Sequence, residues 1–348
     1  MLTVQTESII APCPVFGECG GCFYQNIPYE EELKGKEAKL KSLLKETLAL
    51  GDDLFEPIVP SPKPYHYRNR LDLKLLRTRK KEIFMGFSPR EGRRMIPVDA
   101  CPIADERISA FIPELKTQVM AKLPEKYRLA NIVVRNGENG RVLWGGIGRG
   151  SCQLQEEDYF WVDIHGRKIY YSLDTFFQAN LSILPRLFER LKAFDFWSEQ
   201  EISFYDLYGG VGLFGIGLAD KVKKVFLIEE CQASLRLARY NVRVHHFQNF
   251  EVVEGRVEDK LPVLLQGSPG GHQVAFIDPP RAGLSPSALR LLASAKNLNY
   301  LFYLSCNPEA LARDLTCFVN QGWKVKRIMP FDFFPKTRHL ETLVLLVL

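Results

Sequence analysis

The sequence predicts an α/β protein with three parts: a cysteine-led N-terminal segment, a smaller β-rich centre and a C-terminal parallel sheet flanked by helices. Three observations predict it. From about residue 170, apolar strand-like runs alternate with helical stretches, the signature of a parallel sheet covered on both faces. The first of those runs opens into a glycine-rich loop, DLYGGVGLFGIG, and the next ends on an acid about 20 residues later. Three cysteines crowd the start of the chain in CPVFGECGGC, ahead of a stretch that alternates in strand fashion.

The 348 residues suffice for about two domains with real cores, and 46% hydrophobic with 25% charged residues is ordinary globular composition. No apolar run reaches the roughly 18 residues of a membrane span, and the first residues lack a basic stretch followed by an apolar core. The expectation is a cytoplasmic chain without a membrane partner. In that setting its eight cysteines serve metal binding or catalysis better than disulfides. The net charge of +5 is unevenly spread. Between Pro62 and Arg94 eleven Lys/Arg face three Asp/Glu, interleaved with Tyr65, His66, Tyr67, Phe84 and Phe87. Cations neutralise phosphates and aromatic faces stack on bases, so this segment reads as a nucleic-acid contact; a solvated basic surface over core aromatics is the alternative.

Taken in order, Cys13, Cys19 and Cys22 form a C-x5-C-x2-C loop able to curl three thiolates round one metal centre, and Cys101 is available as a fourth. EELKGKEAKLKSLLKETLAL predicts a helix, with Leu33, Leu40, Leu44 and Leu48 at near-helical spacing and lysines outward. RLDLKLL and EIFMGF predict paired strands, and NIVVRNGENGRVLWGG a hairpin about a Gly/Asn turn. SFYDLYG, KVFLIEE, NFEVVEG, QVAFIDPP and NYLFYLSCN predict the parallel strands, with helices between them such as CQASLRLARYNVRVHH and SPSALRLLASAK. WKVKRIMPFD and ETLVLLVL, with no helix between, predict a closing antiparallel pair. The parts are drawn at 1–60, 61–168 and 169–348.

Ligands of such sheets bind beyond the carboxyl ends of the strands. There the sequence places Asp206, Gly210, Gly212 and Gly215, then Glu229, then Asp278-Pro279-Pro280-Arg281, then Ser305-Cys306-Asn307-Pro308. Glycines admit close backbone approach and the acid suits ribose hydroxyls, so a nucleoside-containing cofactor is expected, NAD and S-adenosylmethionine being undistinguished at this level. Two prolines hold Asp278 on a stiff turn, although a helix cap would use it equally well. Cys306, just past a strand and beside a helix start, is expected to gain thiolate character, where a buried structural cysteine is the alternative. If the last strand runs antiparallel, Glu341 begins it at the same rim and faces Cys306 as a base. His339 could substitute, or could pack against Phe333 and Phe334.

These motifs (CPVFGECGGC, YRNR, FFQAN, DLYGGVGLFG, DPPRAGL, LSCNPEALARDL and DFFPKTRHLET) resemble those of the RNA uracil-5-methyltransferases, most nearly the iron–sulfur branch acting on 23S ribosomal RNA. The resemblance covers nearly the whole chain. It implies a C-terminal class I (Rossmann-like) methyltransferase domain using S-adenosylmethionine, and a [4Fe-4S] cluster on Cys13, Cys19, Cys22 and Cys101, although zinc would also accept four thiolates. It implies Cys306 as nucleophile and Glu341 as base, with Gln178, Tyr208, Gly210, Gly212, Glu229 and Asp278 around cofactor and base. A monomer is implied too. Larger relatives carry an N-terminal RNA-binding barrel (a TRAM domain) for which this chain is expected to have no room, leaving RNA contact to the cluster region, the basic centre and the site rim.

Two departures stand out. Arg256 occupies the place where relatives often carry an acid toward the adenine, with Glu258 and Asp259 nearby and the role unassigned. FLIEE lacks the usual glycine before its acid, so Glu229 is the better-aligned carboxylate with Glu230 beside it. The implied chemistry adds Cys306 to C6 of a uridine that lies in a loop or is flipped out, with Phe176 or Phe177 stacking on it and Gln178 reading its edge, unless those phenylalanines are core. The cluster would order the N-terminal segment. Rival readings are a transfer RNA enzyme making the same product, an NAD-dependent iron–sulfur oxidoreductase, and a non-catalytic RNA-binding module.

Overall fold

A computed structural model describes residues 9–80, 82–122, 128–146, 156–198, 201–267 and 271–348. The core of the C-terminal part is a seven-stranded sheet of β8 (Ser203–Leu207), β9 (Lys224–Glu229), β10 (Phe250–Glu254), β11 (Gln273–Ile277), β12 (Tyr300–Ser305), β13 (Lys324–Phe331) and β14 (Glu341–Val347). Their spatial order is β10-β9-β8-β11-β12-β14-β13. The first five are parallel, whereas β14 runs antiparallel to both β12 and β13, as the missing crossover helix requires. The strands are apolar on both sides because both sides are covered. Phe204, Val274, Phe276 and Phe302 face one core; Tyr205, Ala275, Ile277 and Tyr303 face the other.

Helices α3 (Leu184–Lys192), α4 (Leu213–Leu218), α5 (Gln232–Val244), α6 (Val257–Gln266), α7 (Pro286–Ala293) and α8 (Pro308–Asn320) complete the layers. A hairpin of β6 (Phe160–Ile164) and β7 (Arg167–Tyr171) packs into the same core as α3 and α4, and the expected boundary at 168 falls inside β7. The N-terminal helix α1 (Tyr29–Leu48) seats Leu40 and Leu44 in the core shared with Leu311 and Leu315 of α8. Its buried stripe begins with two charged residues, Glu32 and Lys36, and so Lys36 departs from the expected outward row of lysines. Residues 55–59 then run beside β13, with Glu56 N–H donating to the Ile328 carbonyl and Val59 N–H to that of Pro330.

The central part is a five-stranded antiparallel sheet in the order β3-β2-β1-β4-β5, from β1 (Arg70–Arg77), β2 (Ile83–Phe87), β3 (Ile96–Pro97), β4 (Leu129–Asn136) and β5 (Val142–Gly146). Helix α2 (Glu106–Lys122) covers one face, placing Ile108, Ile112 and Leu115 against Leu71, Leu73 and Leu75. Strand β1 alternates buried and open residues, the pattern of a sheet covered on a single side. Among the described residues, no helix is long and apolar enough to cross a membrane.

Candidate active site

The expected rim forms at the carboxyl ends of β8, β9, β11 and β12. Beyond β8, Tyr208 (φ +58°), Gly210 (φ +56°) and Gly212 (φ +94°) take left-handed backbone conformations that turn the chain sharply into α4. A Cβ at Gly215 would sit 3.0 Å from the Asp206 carboxylate and 2.8 Å from the Phe250 ring, so the helix start is held close to the strand. Gly215 N–H donates to Asp206 Oδ2 at 2.8 Å. The loop is fastened from β9. Glu229 accepts from Gly210 N–H at 2.9 Å through one oxygen, and from Glu230 N–H (2.8 Å) and Cys231 N–H (2.7 Å) through the other. A carboxylate has about four acceptor positions, so about one is left for a ribose hydroxyl.

A cavity of about 670 Å³ opens beside this loop, lined by Tyr208, Glu230, Arg256, Glu258, Pro280 and Ser285 among others. Glu230, Arg256 and Glu258, whose roles the sequence left open, all reach it. Glu258 is engaged by Arg256 at 3.2 Å and by the hydroxyls of Ser285 and Ser287 at 2.9 and 3.0 Å.

A second cavity, of about 390 Å³, is lined by Cys306, Asn307, Arg281, Arg338, His339 and, from α1, Lys36 and Lys39. Register places Cys306 opposite Glu341, because Ser305 of β12 pairs with Thr342 of β14. Gln178 Nε2 donates to Asp278 Oδ2 at 2.9 Å, bringing the FFQAN loop to the end of β11. Phe177 is stacked on Tyr171 in the core, with centroids 4.1 Å apart, whereas the neighbouring Phe176 is 70% exposed. The two phenylalanines therefore divide between core and rim.

Burial dominates the electrostatics. Glu341 is 4% exposed, its Oε2 has no hydrogen-bond partner, and burial together with Asp278 holds its carboxyl well above the usual range, opposed by Arg281. Burial pushes Asp278 up to about 7, opposed by the Gln178 hydrogen bond. The Cys306 thiol is pushed up to about 11 by burial and by Glu341 and Asp278, with Arg281 opposing. The helix start favours the thiolate, and Asn307 caps α8 by accepting from Glu309 and Ala310 N–H, whereas burial and the two neighbouring carboxyls favour the thiol. His339 is driven down to about 4 by burial and the cations Arg281, Arg68 and Lys36, and its Nε2 lies 3.3 Å from Arg281. A base so weak is better suited to packing on Phe334, which its ring meets edge-on at 5.9 Å.

Sequence reasoning missed Arg281 as the cation of this site and Arg135 as the support of the FFQAN loop. The first lay in plain view beside Asp278. The second reads as one more cation in a strand.

Cys13, Cys19, Cys22 and Cys101 line one cavity of about 340 Å³ with Val15, Phe16, Leu71 and Val98. Burial and the neighbouring thiols push Cys22 up to about 12, opposed by Gln25. Among the described residues, no group of three His, Cys, Asp or Glu side chains is arranged to hold a metal ion. The cysteine loop is tied on two sides. Gly20 N–H donates to the Ser88 carbonyl, and Phe23 and Tyr24 N–H donate to the Lys336 carbonyl.

A family model described as tRNA (Uracil-5-)-methyltransferase matches residues 28–133, 149–261 and 271–348. An uncharacterized RNA methyltransferase of Gloeobacter violaceus is 28% identical, over 98% of this chain and 83% of its own length. The 23S rRNA (uracil(1939)-C(5))-methyltransferase RlmD of Aliivibrio fischeri is 26% identical, over 96% of this chain and 81% of its own. Among solved structures, the tRNA (uracil-54, C5)-methyltransferase of Pyrococcus abyssi in complex with S-adenosyl-L-homocysteine superposes with a TM-score of 0.71 at 23% identity, covering 94% of this chain and 86% of that one. It shares the fold.

Proposed function

Because the chain belongs to the tRNA (Uracil-5-)-methyltransferase family, and is an S-adenosylmethionine-dependent RNA (uracil-5-)-methyltransferase, we propose that it methylates C5 of one specific uridine in 23S ribosomal RNA. The observation that carries the chemistry of this reading is the meeting of Cys306, Glu341 and Asp278 at one rim, with Arg281 acting on Cys306 and Glu341.

The Cys306 thiolate adds to C6 of the uracil, and C5 becomes an enolate-like carbon. S-adenosylmethionine supplies the methyl group that C5 takes up. Glu341 removes the C5 proton, the bond from C6 to Cys306 breaks, and the thiolate is regenerated. The sum is uridine and methyl donor to 5-methyluridine, S-adenosylhomocysteine and one proton. Division of one hard step into easier ones is what a covalent nucleophile contributes. Tyr208, Gly210, Gly212 and Glu229 hold the nucleoside end of the donor, and Gln178 and Asp278 sit between donor and uracil. The exposed Phe176 stacks on the target base once it has left its helix.

Ribosomal RNA is preferred because the cysteine array accompanies the RNA-methyltransferase core, as the sequence resemblance implies, and because one relative is named for a 23S uridine. A transfer RNA substrate is the second reading, favoured by the likeness in fold to the Pyrococcus abyssi enzyme, which is named for a tRNA uracil. We also propose that Cys13, Cys19, Cys22 and Cys101 hold a [4Fe-4S] cluster that orders the N-terminal segment. The four thiols line one cavity, which supports a shared group there; that it is iron–sulfur where zinc would also accept four thiolates is what the sequence resemblance implies. The chemistry is redox-neutral and routes no electron through it. The enzyme is read as a cytoplasmic monomer.

The test is methyl transfer from labelled S-adenosylmethionine to unmodified 23S ribosomal RNA and, separately, to unmodified transfer RNA, with wild type and Cys306→Ala side by side. Cys306-dependent 5-methyluridine in the ribosomal RNA is expected. Product in transfer RNA alone would keep the mechanism and overturn the substrate. For the cluster, Cys22→Ser is expected to lose bound iron, visible absorbance and solubility together, and a soluble, active, iron-free variant would sink the structural role.

A further inference from the structure

Among the described residues, one face of the central sheet has no element packed on it, and that face is chemically uneven. Helix α2 packs on one side, whereas the other exposes Asp72, Lys74 and Leu76 from β1. Strand register sets Leu76 between Phe84 of β2 and Leu129 of β4, so three apolar side chains lie in one row across three strands. They are 38%, 39% and 72% exposed, respectively. A contiguous exposed apolar strip on a soluble sheet marks a binding surface more often than chance. Here the strip floors a groove of about 650 Å³ whose charged lining residues are Lys74, Arg93 and Arg94, with no carboxylate among the described lining.

We infer that this groove is a second RNA-binding site, one that takes a single-stranded stretch flanking the target uridine. Flat apolar and aromatic surface receives bases, and the three cations receive the phosphates between them. Duplex RNA would offer phosphates to the rim but no free base faces to the strip. A second copy of the chain docked groove to groove would set two linings whose described residues carry cations and no carboxylate against each other, a like-charge arrangement that disfavours association. The position suits the role. Asn69, just before β1, donates through Nδ2 to the Gln178 carbonyl at 3.1 Å, so β1 leaves directly from the catalytic rim. Leu76 lies seven residues further along an extended chain, about 23 Å away at ~3.3 Å per residue. A few extended nucleotides span that distance. The inference rests on the RNA-methyltransferase reading and adds to it where a flanking strand lies.

The experiment uses the full chain and a fluorescein-labelled 12-nucleotide oligouridylate, read by anisotropy over a salt series. The variants are Phe84→Ala, Leu129→Ala and the triple Lys74→Ala/Arg93→Ala/Arg94→Ala. Retained binding of S-adenosylhomocysteine by calorimetry confirms that each is folded. Phe84→Ala is expected to raise the dissociation constant roughly tenfold, the scale of one lost base–aromatic stack, and Leu129→Ala to raise it by less, since it removes apolar contact alone. The triple variant is expected to flatten the dependence of log affinity on log salt by about 2, since each single-strand phosphate contact contributes about 0.7. In methyl-transfer assays the KM for a long transcript should rise while kcat on a short hairpin bearing only the target loop stays put. Unchanged affinity and salt slope, in variants of an enzyme that methylates RNA, would overturn the groove. A wild-type dimer by sedimentation, split by Leu129→Glu without loss of RNA affinity, would assign the face to a second copy and overturn it equally. Failure of the wild type to methylate any RNA would count against the proposed function, and the oligouridylate series would still decide the groove.

Discussion

The ammonium of Lys36, on the first helix, lies 2.8 Å from a carboxylate oxygen of Asp332, a residue 296 positions later in the loop that leads to Glu341. The same ammonium meets Glu32 at 2.8 Å and donates to the Phe334 carbonyl at 3.1 Å. Glu32 in turn accepts from the backbone N–H of Lys336, at 2.6 Å, and pairs with its ammonium at 3.4 Å. Tyr29 donates to the other oxygen of Asp332 at 2.8 Å. Lys336 has a left-handed backbone (φ +66°), and its carbonyl accepts from Phe23 and Tyr24 just after the cysteine loop. One buried polar network therefore joins α1, the cysteine segment and the loop carrying His339 and Glu341.

Removing one partner from such a network leaves charges buried without compensation, at a cost of about 3–5 kcal/mol. Lys36→Met is accordingly expected to lower the thermal midpoint by many degrees and to reduce methyl transfer along with it. The double variant Lys36→Met/Asp332→Asn, which removes both charges of the pair, should recover part of the loss. A double-mutant cycle by thermal denaturation checks this, and additive losses would show that the two residues do not act as a unit.

Asp206 carries a pH signature. It is 1% exposed, burial pushes it up to about 8, and Asp278 and Glu229 add to the effect while the Gly215 N–H opposes it. The folded chain thus holds a proton that the unfolded chain releases near pH 4. Its contribution to stability is complete below that pH and is lost progressively as pH rises toward 8. Asp206→Asn keeps an acceptor for Gly215 and cannot ionise. The variant's thermal midpoint is expected to gain on the wild type steadily between pH 5 and 8, and a constant difference across that range would place the Asp206 proton elsewhere.

Cys306 and Glu341 predict how the rate depends on pH. With the thiol pushed up to about 11, the thiolate fraction grows about tenfold per pH unit through the neutral range, and Glu341 must lose its own proton to accept one from C5. Single-turnover methyl transfer should therefore still be climbing at pH 9. Arg281→Gln removes the cation that opposes both shifts and should move the profile further toward alkali. Glu341→Gln should retain adduct formation and lose turnover, leaving a protein–RNA band stable to denaturing electrophoresis. A plateau below pH 7 in the wild type would mean that substrate binding, rather than the chain's own charges, sets the thiolate.

Much of this was legible because strand ends are marked by residues that regular structure does not favour. DLYGG, DPPR and SCNP each interrupt an apolar run with glycine, proline or a polar group, and the structure puts all three at one rim. Other features were hidden for physical reasons. Helix α2 has its apolar residues at Ile108, Ile112, Leu115 and Val119, a clear stripe, but Pro113 lies inside it and argues locally against a helix. Lys36 looks like every other lysine of a charged helix face, and its burial depends on Asp332 almost three hundred residues away. The helix start beside Cys306 is visible in sequence, whereas the burial that pushes its thiol up is created by packing and is not.

Arg135 is the least legible of all and yields the last prediction. It is fully buried in β4, burial lowers its guanidinium to about 10, and the ring of Tyr171 lies 4.9 Å away. It donates to three backbone carbonyls, those of Ser172 (2.6 Å), Thr175 (2.7 Å) and Phe177 (3.2 Å). These carbonyls frame the loop that presents Phe176 and Gln178. Arginine suits the place because its planar fork reaches several acceptors at fixed angles, which a lysine ammonium cannot reproduce. Arg135→Lys is expected to speed amide hydrogen exchange across 172–178 while leaving β8 and β12 protected. It should also raise the KM for RNA more than it lowers kcat, as expected of a residue that positions the loop without touching substrate. Unchanged exchange in the loop would show that Tyr171 and Phe177 hold it by stacking alone, and a loss confined to kcat would place Arg135 nearer the chemistry than its burial allows.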